Sequence, residues 1–436
     1  MVMLKMSELP KYDAYKDSGH EWIGGVPQEW EVSKLGGCLS AVSIKGYPKL
    51  PLLSITREQG VIQRDVDDQD SNHNFIPDDL SGYKLLKEGQ FGMNKMKAWQ
   101  GSYGVSKFTG IVSPAYFIFD FTKPIWPSFF NWAIRSSLYV SYFGSASDGV
   151  RVGQWDLSKD RMKVIPFLLP PEDEQRLIAK FLDKKNTQID EAIAIKEQQI
   201  ALLKERKQII IQKAVTQGLD PNVPMKDSGV DWIGEIPANW EVKQSRYLFR
   251  VVRRTDRRGD EVKYSVTQAR GLVPTHEMVE NSTQAASFDS FQLCHEGDLV
   301  LNKYKAHLGV FWKASERGII TNNYTVLSPL DKVSSKYFEL LFHTPIYVST
   351  FRTLVYGVTE GMSPLYTSDF YNIRSIVPPL EEQKAIERHV MSAEEIHGEA
   401  VRHLEDQKAS LAEYKISLIN SAVTGKIRIT PDMVEA

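Results

Sequence analysis

The sequence predicts an α+β protein: two tandem-repeated α/β globules separated by two long helices that pair as an antiparallel coiled coil. Three observations carry this. At 436 residues the chain has room for two or more domains with sizeable cores. The motifs of its first half recur in its second. Each copy ends in a long stretch whose apolar residues alternate in steps of four and three, the heptad signature of a helix that needs a partner. The expected boundaries are 1–169 for the first globule, 170–220 for a central helical spacer, 221–377 for the second globule, 378–426 for a distal helical spacer and 427–436 for a tail.

Each repeat opens on an entry motif. Trp22-Ile23-Gly24-Gly25-Val26-Pro27-Gln28-Glu29-Trp30 recurs as Trp232-Ile233-Gly234-Glu235-Ile236-Pro237-Ala238-Asn239-Trp240, preceded by Lys16-Asp17-Ser18-Gly19 and Lys226-Asp227-Ser228-Gly229. Trp22 and Trp232 are expected to anchor each entry onto its core rather than to offer stacking surfaces to bases, because large aromatics contribute most when buried. Next come short runs of β-branched and aromatic residues punctuated by glycine, which read as strands. Gly89–Ala98 and Gly110–Phe119 are matched by Gly297–Ala306 and Gly318–Leu327. A helix is expected around 128–143 and again around 335–351. A glycine-bearing loop follows in each copy, Gly149-Val150-Arg151-Val152-Gly153 and Gly357-Val358-Thr359-Glu360-Gly361.

The long helices open on Pro170-Pro171-Glu172-Asp173-Glu174-Gln175 and, at an offset of 208 (378 − 170), on Pro378-Pro379-Leu380-Glu381-Glu382-Gln383. Proline suits a first helical turn, and carboxylates there favour the positive end of the helix dipole. A break is expected at Lys184-Lys185-Asn186, where Thr187 and Asp190 read as a capping box. The first seam is Ile189, Ile193, Lys196, Ile200, Leu203, Lys207, Ile210, Ala214. The second is His397, Val401, Leu404, Lys408, Leu411, Lys415, Leu418, Ala422. The copies close alike, on Ala214-Val215-Thr216-Gln217-Gly218 and Ala422-Val423-Thr424-Gly425.

Composition excludes several classes. Charged residues make up 25% and the formal net charge is −2, so the chain is no indiscriminate polycation, although a local basic face is still compatible with nucleic acid. The interiors of the repeats differ. Residues 58–79 are acidic (Asp65, Asp67, Asp68, Asp70, Asp78, Asp79). Residues 243–270 carry nine Lys/Arg against Asp256, Asp260 and Glu261. Cys38 and Cys294 do not correspond under the repeat and imply no disulfide framework. With no expected leader or membrane-length apolar run, the cytoplasm is the expected compartment and no membrane partner is expected.

The repeated Trp-Ile-Gly-x-x-Pro-x-x-Trp entry, Asn-Lys-x-Lys, Pro-Pro-x-x-Glu-Gln and Ala-Val-Thr motifs together resemble the specificity (S) subunit of a type I restriction-modification system, from about Lys16 to Lys426. The resemblance implies two target-recognition domains held apart by two helices packed antiparallel. It also implies binding of a split double-stranded DNA sequence, and recruitment of two methyltransferase (M) subunits, with restriction (R) subunits in the full complex. The subunit itself would be non-catalytic and without cofactor; S-adenosylmethionine, ATP and magnesium would belong to partners.

The residues agree that no enzyme of the chain's own is to be expected. No Gly-x-Gly-x-x-Gly, no phosphate-binding Gly-x-x-x-x-Gly-Lys-Ser/Thr and no Asn/Asp-Pro-Pro-Tyr/Phe occurs, and Asp220-Pro221-Asn222 is only a fragment of the last. The nine histidines form no zinc spacing, and Asp65–Asp70 lacks the glycine and glutamate of a calcium loop. Two rival readings remain: a self-sufficient nuclease built on Asp256, Glu261 and Lys263, and a coiled-coil scaffold that binds no nucleic acid.

Binding candidates follow from chemistry. Lys95 and Lys97, and Lys303 and Lys305, are placed on strands at a spacing of two, so each pair shares one face and suits phosphates. Arginines and amides in loops suit base edges. Those candidates are Arg151 and Gln154 in the first half, and Gln268, Arg270, Asn322 and Asn323 in the second; Arg253 and Arg254, in the arginine-rich segment, are further DNA-binding candidates.

Overall fold

The computed structural model describes residues 6–65, 76–149, 155–256, 258–278, 291–355 and 364–435. The chain divides into two compact units, Met1–Glu197 with Glu405–Ala436, and Gln198–Leu404. The division falls inside both long helices, Glu172–Gln217 and Leu380–Val423. Unit 1 therefore combines the start of the first helix with the end of the second, and unit 2 the reverse.

The expected break near residue 185 is absent, and one helix runs from Glu172 to Gln217. The polar side chains taken for a cap turn back onto their own helix instead. Asn186 Nδ2 donates to the Leu182 carbonyl at 2.8 Å and Thr187 Oγ1 to the Asp183 carbonyl at 2.9 Å. Such i−4 bonds are an alternative to capping for short polar side chains.

The heptad seams are where the spacing puts them. Every seam position on both helices is buried or half-buried, and from Ile193 to Ile210 every other side chain of the first helix is exposed. Within unit 1 the pairing is antiparallel. Asp190 accepts from Lys415 Nζ at 2.7 Å, Lys196 reaches Gln407, and Glu197 meets Lys408 at 3.1 Å, so one number rises as the other falls. Ile189 is buried in the same cluster as Leu411, Leu418 and Ala422. Within unit 2, Ile211, Ala214 and Val215 share a core with Ile386 and Val390, and Lys207 lies 3.8 Å from Glu394. Lysines are tolerated in a seam because the stem packs on the apolar stripe while the ammonium reaches an acid or amide at its rim.

Each unit carries a four-stranded antiparallel sheet of the same order. In unit 1 the strands run Leu39–Val42, Tyr116–Phe121, Phe91–Asn94, Tyr103–Val105; in unit 2, Phe249–Val252, Tyr324–Pro329, Leu299–Asn302, Phe311–Lys313. The register repeats too, with Tyr116 opposite Asn94 and Tyr324 opposite Asn302. Each expected single helix after the sheet is two. Pro127–Ile134 precedes Ser137–Ser145, and Ser335–Phe342 precedes Pro345–Leu354. Ser136 and Thr344 adopt extended angles between them, and Pro345 has no N–H with which to continue the earlier helix.

The repeated motifs are fasteners between globule and helix. The Gln175 amide is buried; it donates to the Pro170 carbonyl at 2.9 Å and accepts from the Trp126 N–H at 2.8 Å. Gln383 repeats this with Pro378 at 2.8 Å and Ser334 at 2.9 Å. The second tryptophan of each pair is the deeper anchor; Trp22 departs from the expectation, whereas Trp232 packs on the unit 2 core with its ring 5.1 Å from that of buried Tyr347. Trp30 and Trp240 are fully buried, whereas Trp22 is 73% exposed and Trp232 half-buried. Trp30 Nε1 donates to Glu174 at 3.1 Å.

The closing glycines lie under these tryptophans. Gly218 and Gly425 have φ of +82° and +70°, the left-handed turn that ends a helix. A Cβ on Gly425 would fall 2.3 Å from Pro27 Cδ, and one on Gly218 3.2 Å from Glu382 Oε1 and 3.3 Å from Trp240 Cζ2. Gly425→Ala should therefore cost about 2–4 kcal/mol, from the left-handed backbone and overpacking against a rigid ring. Gly218→Ala should cost less, because a carboxylate can shift. Urea unfolding of the full chain measures both; wild-type stability in Gly425→Ala would refute the packing account.

Candidate functional site

Two hairpins with exposed tips occupy equivalent places. In unit 1, Leu53–Thr56 pairs with Gly60–Gln63; in unit 2, Tyr264–Thr267 pairs with Gly271–Pro274. The threonine closes each turn. Thr56 Oγ1 donates to the Gly60 carbonyl at 3.3 Å and accepts from the Gln59 N–H at 3.1 Å. Thr267 repeats this with Gly271 at 3.1 Å and Arg270 at 3.0 Å. Gly60 and Gly271 both have positive φ, +73° and +77°. Gln268 and Arg270 therefore stand exposed on a defined tip. Their unit 1 counterparts, Arg57, Glu58 and Gln59, are also exposed and were missed in the sequence. The signal was there: Ser54-Ile55-Thr56-x-x-x-Gly60 recurs as Ser265-Val266-Thr267-x-x-x-Gly271.

The two tips rest on different supports. Beneath the first, Arg135 donates to the carbonyls of Tyr103 at 2.6 Å, Arg57 at 2.9 Å and Glu58 at 2.7 Å. Beneath the second lies the Trp312 ring, which a Cβ on Gly271 would approach to 3.2 Å and whose centroid is 4.5 Å from that of His343. Burial, with Lys336 as a smaller contributor, pushes the His343 imidazole down to about 4.

The paired lysines do not lie on strands. Lys95–Gln100 and Lys303–Leu308 are 3₁₀ turns, N-capped by Asn94 and Asn302 and closed by Gly101 and Gly309. At three residues per turn, positions two apart point to different sides, so neither pair shares a face. Lys97 and Lys305 are exposed. Lys95 Nζ is held 3.0 Å from Asp156. Lys303 Nζ donates to the Asn322 carbonyl at 3.4 Å, which brings those two candidates together beside exposed Asn323. Arg151 and Gln154 lie outside the described residues, as does most of Asp65–Asp70.

The arginine-rich segment splits. Arg253 is exposed. Arg254 is committed to the fold: its guanidinium bonds the buried Asp298 carboxylate at 2.5 and 3.4 Å and Ser328 Oγ at 3.5 Å. A buried carboxylate left without that partner is costly, so the Arg254 guanidinium is held by the fold. Of the three residues of the nuclease reading, Glu261 is engaged by backbone groups and Arg317, which also donates to the Asp256 carbonyl at 3.1 Å. Glu261 accepts from the N–H groups of Arg258 at 2.6 Å and Gly259 at 3.0 Å and from Arg317 at 3.0 Å, which pulls its carboxyl down to about 2. It organises its own loop, and Lys263 Nζ lies 5.2 Å over the Phe291 ring. Among the described residues no three His, Cys, Asp or Glu side chains group as metal ligands.

Two curated relatives match nearly end to end. The type I restriction enzyme MjaVIII specificity subunit of Methanocaldococcus jannaschii is 22% identical over 455 residues, covering 95% of this chain and 97% of its own. The MjaX specificity subunit, assigned to a type I restriction enzyme of the same organism, is also 22% identical, over 93% of this chain and 96% of its own. The chain's curated homologues are type I restriction enzyme specificity subunits. No family model matches. Among solved structures, a chain from work on complex assembly and conformational transition of the type I R-M system has a TM-score of 0.66 at 13% identity, covering 91% of this chain and 98% of that one. The HsdS subunit from Thermoanaerobacter tengcongensis has a TM-score of 0.56 at 14% identity, over 92% and 98%. At those identities the structures show a shared fold.

The lowered value of half-buried His343 sets the expected sign of a pH dependence in unit 2. Its folded value lies below the unfolded 6.5, so its contribution is complete above pH 6.5 and is lost as pH falls to about 4, some 3 kcal/mol in all. His343→Phe, which keeps a ring against Trp312, should flatten that part of the profile in urea unfolding at stepped pH. Parallel profiles for both proteins would show that His343 is not buried neutral.

Proposed function

We propose that this chain is the DNA-binding specificity subunit of a type I restriction-modification complex, reading a two-part target with two tandem recognition domains. The observation that carries the reading is full-length similarity to specificity subunits combined with a repeated frame whose exposed tips differ, Arg57-Glu58-Gln59 against Gln268-Ala269-Arg270. Equal frames with unequal tips suit two readings of two different half-sites. In this reading the recognition domains are 1–169 and 221–377, and the helical spacers are 170–220 and 378–426. Two methyltransferase subunits are recruited, one to each repeat, because a repeated frame offers the same docking surface twice. Restriction subunits join in the full complex, and catalysis and its cofactors belong to these partners.

Within the interface, Lys97, Lys305 and Lys303 serve phosphates, while Gln268, Arg270, Asn322 and Asn323 serve base edges, as do Arg151 and Gln154 in the first half. Arg253 adds a phosphate contact. The test uses the chain with its methyltransferase subunits and duplexes selected from a randomised pool. Lys97→Ala/Lys305→Ala should weaken all duplexes about equally and lower the salt slope by about two. Arg270→Ala should instead cost about 1–3 kcal/mol on the selected site and relax one base position. Failure to retain any duplex, even with the methyltransferase present, would favour the scaffold reading.

A further inference from the structure

The first repeat reads as acidic in sequence, yet unit 1 gathers ammoniums around one tyrosine. Lys84 Nζ donates to the Tyr116 carbonyl at 2.6 Å. Lys45 forms an isolated antiparallel bridge with Lys84, which puts the two side chains beside each other. Lys159 Nζ lies 4.2 Å over the ring of the next residue, Phe117. Lys45 and Lys159 are exposed and Lys84 half-buried. Among the described residues no carboxylate pairs with any of the three. Burial, then the charges of Lys45 and Lys159, push the Lys84 ammonium below its ordinary range.

Unit 2 has the same frame without the charge. Gln292 occupies the place of Lys84 and makes the same bond, Nε2 donating to the Tyr324 carbonyl at 2.8 Å. The Leu85 N–H bonds the Ile44 carbonyl at 2.8 Å as Leu293 N–H bonds Arg254 at 2.9 Å, which sets Thr255 in the place of Lys45. Thr367 opens the short helix Thr367–Asn372 as Lys159 opens Lys159–Val164. The structural task of the position thus needs only a donor to the tyrosine carbonyl. The added ammoniums contribute nothing to that task, and their charges oppose that of Lys84, which a bound anion would relieve.

We infer that Lys45, Lys84 and Lys159 form a seat for a phosphodiester oxyanion of the DNA backbone, a contact made by unit 1 and not by unit 2. The inference rests on the DNA-binding reading above. It makes the two halves unequal, with unit 1 contributing more sequence-independent affinity.

The test exchanges the trio for its unit 2 counterparts, Lys45→Thr, Lys84→Gln and Lys159→Thr, in the full chain with its methyltransferase subunits. Lys84→Gln keeps the bond to Tyr116, so the fold is retained and is checked by unfolding. The triple variant should lower the salt slope for DNA by about one to two, with the preferred sequence unchanged. Wild-type binding with an unaltered slope in the variant overturns the seat while leaving the DNA reading intact. No DNA binding by the wild-type complex overturns that reading. In that case amine labelling of the wild-type chain with and without tripolyphosphate is decisive. Protection of the three lysines would assign the seat to a free polyphosphate instead of DNA, and equal labelling would show no seat at all.

Discussion

Neither long helix can bury its own apolar stripe, and the structure follows from how that is resolved. The start of the first helix packs on the end of the second, Ile189 with Leu418, and in unit 2 the end of the first packs near the start of the second, Val215 with Ile386. Each unit is therefore completed by sequence from both repeats. Gly425, from the end of the chain, closes over Pro27 near its beginning. The lysines in the seams keep this pairing in register: Lys415 finds Asp190 and Lys408 finds Glu197 only when the helices run antiparallel. Each exposed pair is worth little alone, but a wrong register leaves an ammonium stem against an apolar stripe without an acid in reach.

On that scaffold the repeated motifs do the same mechanical work twice, while the exposed tips diverge. Gln175 and Gln383 satisfy the same backbone groups, and Thr56 and Thr267 close the same turn. What differs lies at and under the tips. A Cβ at Gly60 would fall 3.1 Å from the Arg135 guanidinium, whereas one at Gly271 in unit 2 would meet the Trp312 ring, itself packed on His343. A tip tied down through two of its carbonyls or backed by a ring is preorganised, so less entropy is lost when it meets a partner. A frame of this kind lets surface residues vary without disturbing the core.

The seam was legible in the sequence because a period of three and four survives two lysine substitutions, and the repeat marked the fasteners at both ends of each helix. Other features were hidden for physical reasons. Asn-Lys-x-Lys alternates like a strand, but Asn94 caps a 3₁₀ turn, and a cap of that kind is read only from its backbone angles. Thr187 and Asp190 satisfied a capping pattern, yet a helix already propagating gains one bond per residue and has no reason to restart. Trp22 and Trp30 look equivalent in a motif; which is buried depends on where Gly425 approaches. Arg254 carries a reader's chemistry, but its role is set by Asp298, far along the chain. Lys45, Lys84 and Lys159 are scattered in sequence and meet only through the bridge and the packing at Tyr116.

The central claim is that one chain reads two separate half-sites through two equivalent frames. Mapping methylated adenines in DNA from a host that expresses this chain with its methyltransferase tests that claim most directly. The account predicts one methylated motif made of two fixed parts flanking a gap of constant length and free sequence, lost when the chain is deleted. A contiguous motif, or methylation unchanged by the deletion, would contradict it.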